Sequence, residues 1–318
     1  MTNWENRLFD TQSAERTLPQ HIDALLTQQR RTWELFRNGE ASLSAVTTKE
    51  FIINGIRIVA QANPGRSIST NAKVDPGSIA QRPCFLCPDA LPEAERGIAQ
   101  GNFVLLPNPY PILPKHMTIA FKMHSPQKID GHVNNFIALT KELGSDMFIL
   151  YNGPCCGASA PDHMHFQTAQ SSGVPLFQQL KEKSLPEKFT PLTLGERNLF
   201  AGCFNDCERT VTSLERLIAT YRHLIAGDQE PMLNIVARYA DARYTIAVFP
   251  RAKHRSACYF APEEKRLSIS PAAIEMAGIV VVADVNQFNR VDEKTIRDIY
   301  REVTIESHQF NQLAEEIA

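Results

Sequence analysis

The run MFILYNG, residues 147–153, reads as a short apolar strand, and just beyond it the chain reads GASAPDHMHFQ, residues 157–167. In a β-strand successive side chains point to opposite faces. After the Gly/Ser/Pro-rich turn, His163, His165 and Gln167 therefore share one face, and Met164 and Phe166 point the other way into apolar packing. Three polar side chains in a row on one face mark either a strand edge in water or a site. The rest of the chain has to build around that choice.

The surrounding segments are short and mixed in type. QHIDALLTQQRRTWELFR at 20–37 has helical spacing of Ile22, Leu25, Leu26 and Trp33. EFIINGIRIVAQ predicts a hairpin turning at Asn54-Gly55. NFVLLPNPYPILPKH and MTIAFKMH predict strands broken by prolines, which cannot donate to a ladder. KIDGHVNNFIALTKEL puts Ile129, Val133, Phe136, Ile137 and Leu143 on one helical face. Beyond about residue 185 the alternation restarts: a helix in CERTVTSLERLIATYRHLIAG, a hairpin in MLNIVARYADARYTIAVFPRAKH, a strand in GIVVVAD and a helix in DEKTIRDIYREV. MTIAFKMH and YTIAVFPRAKH echo each other, which suggests a duplicated α+β unit whose second copy lacks H-x-H-x-Q.

Composition narrows the partners. A chain of 318 residues, 43% apolar, can fill a large core in one or two domains. A net charge of −2 gives no electrostatic case for nucleic acid or a membrane. The start MTNWENRLFD lacks the basic and apolar regions of a secretion signal, and AGIVVVADV is far short of a membrane span. Seven cysteines, an odd number in no disulfide pattern, predict a reduced, cytoplasmic protein.

Cys84 and Cys87 have the C-x-x-C spacing of half a zinc site, flanked by Pro83 and Pro88. Tetrahedral zinc needs two more ligands, and no second C-x-x-C exists to supply them. His124 and His163 complete a Cys2His2 set that would pin the N-terminal loop to the central sheet; His116 competes for one place. Neutral imidazole is a good nucleophile toward phosphorus, which makes His165 a candidate for covalent nucleotidyl transfer. Gly157, Ser159 and the turn N–H groups, with the Gln167 amide, can donate to phosphate oxygens. Cys155 and Cys156 fit a tightly packed loop better than a nucleophile. Anionic substrates need cations, and Arg66, Lys73, Lys253, His254 and Arg255 are available.

GASAPDHMHFQ, with CFLC upstream and NPYP between, resembles the histidine-triad superfamily and, within it, the galactose-1-phosphate uridylyltransferase branch. That branch carries H-x-H-x-Q and includes uridylyltransferases, diadenosine tetraphosphate phosphorylases and GDP-galactose phosphorylases; the wording here is most similar to a bacterial group near the phosphorylases. The resemblance is strong over about residues 50–170. It implies that His165 takes the nucleotidyl group, that Gln167, Ser159 and Asn152 contact phosphate, and that Asn108 lies near the base and ribose. It also implies a structural zinc (Zn2+) on Cys84, Cys87, His163 and His124, favouring His124 over His116. One departure is that three residues, not two, separate Ser159 from His163, so the turn differs in shape. Glutamine orients phosphate but is no general base, which favours transfer over hydrolysis.

The expected fold is α+β: an antiparallel sheet with helices packed on one face, built as two histidine-triad-like halves. Residues 1–50 form a helical lead-in, 51–185 the catalytic half with the zinc site and 186–318 a degenerate second half. The expected function is a nucleotidyltransferase or phosphorylase. Its partners are a nucleotide or nucleotide-sugar substrate and a phosphate or sugar-phosphate acceptor; the oligomeric state is left open, with a homodimer as the candidate. The alternatives are a metal-dependent hydrolase with His163 and His165 as ligands, and a non-catalytic nucleotide-binding protein with structural zinc.

Overall fold

The turn Asn54-Gly55 closes its hairpin as the sequence predicts. Both residues have positive φ, +50° and +77°, as a two-residue turn between twisted strands requires. It joins β1 (Thr47–Ile53) to β2 (Ile56–Ala62). The computed structural model describes residues 4–11, 16–66, 76–227 and 229–317. Lys73 lies outside the described residues.

The larger sheet has nine strands: β3 (Ile98–Gln100), β4 (Phe103–Pro107), β5 (Met117–Phe121), β6 (Met147–Asn152), β7 (His165–Gln170), β8 (Thr190–Leu194), β9 (Arg197–Phe204), β10 (Leu233–Ala240) and β11 (Arg243–Pro250). Their order is β3-β4-β5-β7-β6-β10-β11-β9-β8, and every pair is antiparallel. The order has an internal repeat. β4-β5-helix-β6-β7 recurs as β8-β9-helix-β10-β11, and the two copies meet where β6 pairs with β10. Under that repeat β11 corresponds to β7 and β9 to β5. The MTIAF echo lies on β5 and the YTIAVF echo on β11, so the shared letters do not mark equivalent strands.

Helices α1 (Leu18–Thr32), α2 (Glu34–Ser42), α3 (Val133–Glu142), α5 (Cys207–Tyr221) and α9 (Ser307–Ile317) supply one core. There Ile22, Phe136, Leu214 and Phe310 pack with Phe166 and Ile149 of the sheet and with Met164 just before β7. The Asp206 side chain caps α5 by accepting from Arg209 N, at 2.8 Å.

The other face is covered too, which extends the expectation of helices on one face. β12 (Ile279–Val282) joins β2 in parallel to make a three-stranded sheet. With α4 (Pro175–Lys181), α6 (Ala273–Met276), α7 (Val285–Arg290) and α8 (Glu293–Val303), it packs on Phe148, Leu150 and Val236. The physical reason is legible in β6, where every residue is buried. A strand apolar on both faces demands two covers. No described helix is long and apolar enough to cross a membrane.

Candidate active site and metal centre

β7 begins at His165, and from there the alternation holds. Phe166 packs in the helical core, while His165, Gln167 and Ala169 line a cavity of about 510 Å³ on the opposite face. Cross-strand register sets Ala120 of β5 beside His165, and both Thr118 of β5 and Leu150 of β6 beside Gln167. His163 departs from the expected common face. It precedes the strand, in the turn after Pro161, and its ring goes to the cysteines.

His165 is held from two directions. Its Nδ1–H donates to the His163 carbonyl at 2.8 Å, which leaves Nε2 without a proton. Gln127, itself buried, accepts from His165 N at 2.8 Å and donates to the His165 carbonyl at 2.9 Å and to the Asn152 carbonyl at 2.8 Å. One side-chain amide thus ties the start of β7 to the end of β6. Burial pushes the imidazole down to about 4, so it is neutral near pH 7.

The two amides beside it have fixed orientations. His116 Nδ1 accepts from Ile112 N at 3.2 Å, so its Nε2–H donates to Gln167 Oε1 at 3.0 Å. Gln167 must then turn its NH2 the other way. Burial, with Arg66 nearby, pushes His116 down to about 3 and keeps it in this neutral form. His116 therefore lies in the cavity wall and not among the metal-ligand candidates. Asn152 Oδ1 accepts from Asn234 Nδ2 at 2.9 Å and from Ala273 N at 2.8 Å. Its NH2 has no partner among the described residues. Asn234 is in turn gripped by buried Arg251, which also donates to the Pro271 carbonyl.

Gly157 explains why the turn before β7 is glycine-led. Its φ is +97°, and a Cβ there would sit 2.4 Å from Ala272 Cβ. The turn and the Pro271–Ala272 segment close together over the cavity, with Ser159 in its lining. Asn108 lines it as well, its Oδ1 accepting from Tyr110 N at 2.9 Å. Of the expected cations, Arg66, His254 and Arg255 reach the lining. Arg66 donates to the Tyr110 carbonyl, Arg255 Nε to Ser270 Oγ at 3.0 Å, and His254 Nε2 lies 2.9 Å from the same Oγ. Lys253 does not reach it, being paired at the surface with Glu302 at 2.8 Å.

Cys84, Cys87, His124 and His163 converge so that their ligand atoms all lie within 4.8 Å of one another. His163 Nδ1 is 3.2 Å from Cys84 Sγ and 3.6 Å from Cys87 Sγ, and His124 Nδ1 is 3.4 Å from Cys87 Sγ. Zinc bonds of about 2.0–2.3 Å at tetrahedral angles separate ligand atoms by roughly 3.3–3.8 Å, so the donor set fits the ion. His163 Nε2–H donates to the Phe121 carbonyl at 2.7 Å, aiming Nδ1 at the cluster as metal-binding imidazoles require. Asp162, next in the chain, pairs with Arg82 at 3.0 Å and steadies the same loop.

Sequence reasoning missed Gln127, Asn234 and the orienting role of His116. The available signal was a lone polar residue in apolar company, as in MLNIVARY for Asn234.

Family comparisons agree with this architecture. Residues 25–170 match a domain of unknown function (DUF4922), and residues 206–318 match the GDPGP1-like C-terminal domain. No curated protein matches the chain in sequence. Among solved structures, yeast Ap4A phosphorylase Apa2 in complex with AMP is similar at TM-score 0.64 and 16% identity, over 92% of this chain and 97% of that one. The same enzyme in complex with Ap4A gives 0.63 and 16%, over 91% and 97%. The chain has that fold.

Proposed function

We propose that the protein is a nucleotidyltransferase or phosphorylase acting on a nucleotide-diphosphate sugar or a dinucleoside polyphosphate through a nucleotidyl group carried on His165. The observation that carries this reading is the imidazole itself. Its Nδ1–H is committed to the His163 carbonyl, so an unprotonated Nε2 is left beside two oriented amides in a cavity. Nε2 attacks the α-phosphorus, an N–P bond forms, and the P–O bond to the departing phosphate breaks. An oxygen of inorganic phosphate or a sugar phosphate then attacks phosphorus, and the N–P electron pair returns to His165.

Gln167 and Asn152 donate their NH2 groups, and Ser159 and the Gly157 turn their O–H and N–H, to the phosphate oxygens. Asn108 serves the nucleoside, and Arg66 and Arg255 supply positive charge. Lys73 keeps its place in the proposal on sequence alone. Residues 51–185 act as the catalytic half and 186–318 as the half that closes the cavity through Ala272 and Ala273. A zinc ion on Cys84, Cys87, His124 and His163 would tie the C-x-x-C loop to the turn that leads into His165. Seven unpaired cysteines suit a reducing cytoplasm.

Yeast Ap4A phosphorylase has been solved with AMP and with Ap4A, which supports a nucleotide in a cavity of this fold. The metal-dependent alternative would need His163 and His165 to share an ion. His163 instead sits with the cysteines, and His165 is not part of that cluster.

The test is a panel of nucleotide sugars and dinucleoside polyphosphates, each with and without phosphate. Release of a nucleotide only when phosphate is present, lost in His165→Gly, is the expected outcome. Intact-mass analysis without acceptor should show one nucleotidyl group on the His165 peptide. Full activity in His165→Gly, or an adduct on Cys156, would overturn the mechanism.

A further inference from the structure

His254, Arg255 and Ser270, all from the second half, line the cavity together. Arg255 Nε–H donates to Ser270 Oγ at 3.0 Å, and His254 Nε2 lies 2.9 Å from the same oxygen. The Arg255 guanidinium carbon also stands 4.1 Å over the Tyr259 ring, so a stack and a hydrogen bond fix the plane of the group. Its two Nη groups take no hydrogen bond or ion pair from any described residue. A guanidinium held through Nε, with both Nη groups to spare, suits two-pronged capture of an oxyanion.

The other two members bring donors and no negative charge. Burial, with Arg255 and Arg251 nearby, pushes His254 down to about 3, so it is neutral near pH 7. A neutral imidazole facing a hydroxyl shares one hydrogen bond with it, in one of two ways. If Ser270 gives its proton to Nε2, His254 keeps Nδ1–H; if Nε2–H donates, Ser270 keeps its O–H. Either way one donor is left over.

Strand register locates the trio. β11 ends at Pro250 opposite Leu233 of β10, and the next residue of β10, Asn234, pairs with Asn152 of β6. The chain therefore leaves β11 beside the Asn152 end of β6, and His254 and Arg255 follow within five residues. Ser270 stands two residues before Ala272, no more than about 7 Å along an extended chain, and Ala272 packs against Gly157. On the other side of His165, Asn108 extends β4, its N–H donating to the His116 carbonyl at 3.0 Å. The order β4-β5-β7-β6-β10-β11 thus sets Asn108 and the trio apart, with His165 between them.

We infer that Arg255, Ser270 and His254 form the acceptor subsite, and that it takes a terminal phosphate group, either inorganic phosphate or the phosphate of a sugar phosphate. The inference rests on the nucleotidyl-transfer reading given above. In a ping-pong route the departing phosphate group and the acceptor use the same place in turn. A nucleoside diphosphate then puts its β-phosphate in the subsite, whereas a monophosphate does not reach it.

Equilibrium binding of ADP and AMP, GDP and GMP, and UDP and UMP to the full chain measures the subsite without turnover. In wild type the diphosphate of the preferred nucleoside should bind about 10–100-fold more tightly than its monophosphate, as charge-assisted hydrogen bonds allow. Arg255→Gln should bring that ratio close to one with little change for the monophosphate, whose retained binding shows that the variant is folded. Ser270→Ala should lower the ratio by a smaller factor. Lys253→Gln removes the same charge two residues away, where Lys253 pairs with Glu302 at the surface, and should keep the wild-type ratio. Equal affinity for diphosphate and monophosphate in wild type, an unchanged ratio in Arg255→Gln, or the same loss in Lys253→Gln would overturn the assignment. Chasing the nucleotidyl enzyme with inorganic phosphate or with glucose 1-phosphate tells the two sources apart. The acceptor that saturates in wild type and fails to saturate in Arg255→Gln is the one the subsite takes. The two readings fail separately. A diphosphate preference abolished by Arg255→Gln in a protein that transfers nothing sinks the transferase and keeps the phosphate subsite; transfer with wild-type phosphate dependence in Arg255→Gln does the reverse. Failure to bind any nucleotide overturns both.

Discussion

Replacing Gly157 by alanine puts one methyl group into a tight contact with Ala272 of the second half. That methyl carbon would lie 2.4 Å from Ala272 Cβ and 2.9 Å from Ala272 Cα, against an ordinary carbon contact of about 3.5–4.0 Å. The turn and the Pro271–Ala272 segment must therefore separate by about 1 Å. Overpacking of this kind costs about 1–3 kcal/mol. The φ of +97° adds about 1–2 kcal/mol for any residue with a Cβ. Separation also draws Ala273 N away from Asn152 Oδ1, now at 2.8 Å, and lets the amide turn. One misaimed donor to a phosphate oxygen is worth about 10²–10³ in rate.

Gly157→Ala should thus lower stability by about 2–5 kcal/mol and kcat/KM by about two orders of magnitude in the molecules that remain folded. Gly173 is the matched control, with φ +84° and nothing within 4 Å of a built Cβ. Gly173→Ala should show the conformational cost alone and normal turnover. Adding Ala272→Gly to Gly157→Ala removes the nearer clash and should restore part of both losses. Urea denaturation and steady-state kinetics on the four proteins read both effects. Equal behaviour of Gly157→Ala and Gly173→Ala would refute the idea that contact between the halves shapes the site.

Two further outcomes follow from the same geometry. Elemental analysis should find about one zinc per chain; Cys84→Ser should lose the metal and lower Tm while leaving guanidine-free turnover per folded molecule largely intact, and an unchanged Tm would remove the structural role. His116 is held neutral at about 3 in the fold against 6.5 when exposed, so its contribution to stability is present above pH 6.5 and is lost as pH falls toward 3; at 1.36 kcal/mol per unit this is about 4–5 kcal/mol, and denaturation at pH 7, 5 and 4 should fall off less steeply in His116→Gln than in wild type.

What the sequence reveals and what it hides divide along the reach of each interaction. Period-two alternation is a local rule, so it correctly faced His165 and Gln167 into one cavity and Phe166 into the core. The same rule fails at His163, because a strand's first residue depends on which neighbour pairs with it, and here Gln127 takes hold of His165 N instead. The C-x-x-C half-site was legible because its geometry is local, and its histidines because few others were available. The orienting partners were not. His116 is 51 residues from Gln167 in the chain, Asn234 is 82 from Asn152 and Ala273 is 121 from it. No local pattern encodes those pairs.

The second half illustrates the same point at larger scale. It repeats the strand order without H-x-H-x-Q, and judged by motif it carries no chemistry. Its topology nonetheless sets β10 against β6, which brings Asn234 onto Asn152, and sends the chain back through Arg251 to the Pro271 carbonyl. Ala273 N then completes the grip on Asn152 Oδ1. The second copy thus fixes which way the Asn152 amide faces. That dependence gives the second copy a physical part in a site whose motif it does not carry. A chain cut off near residue 185 would retain His165 and the cysteine cluster while losing the partners that aim Asn152.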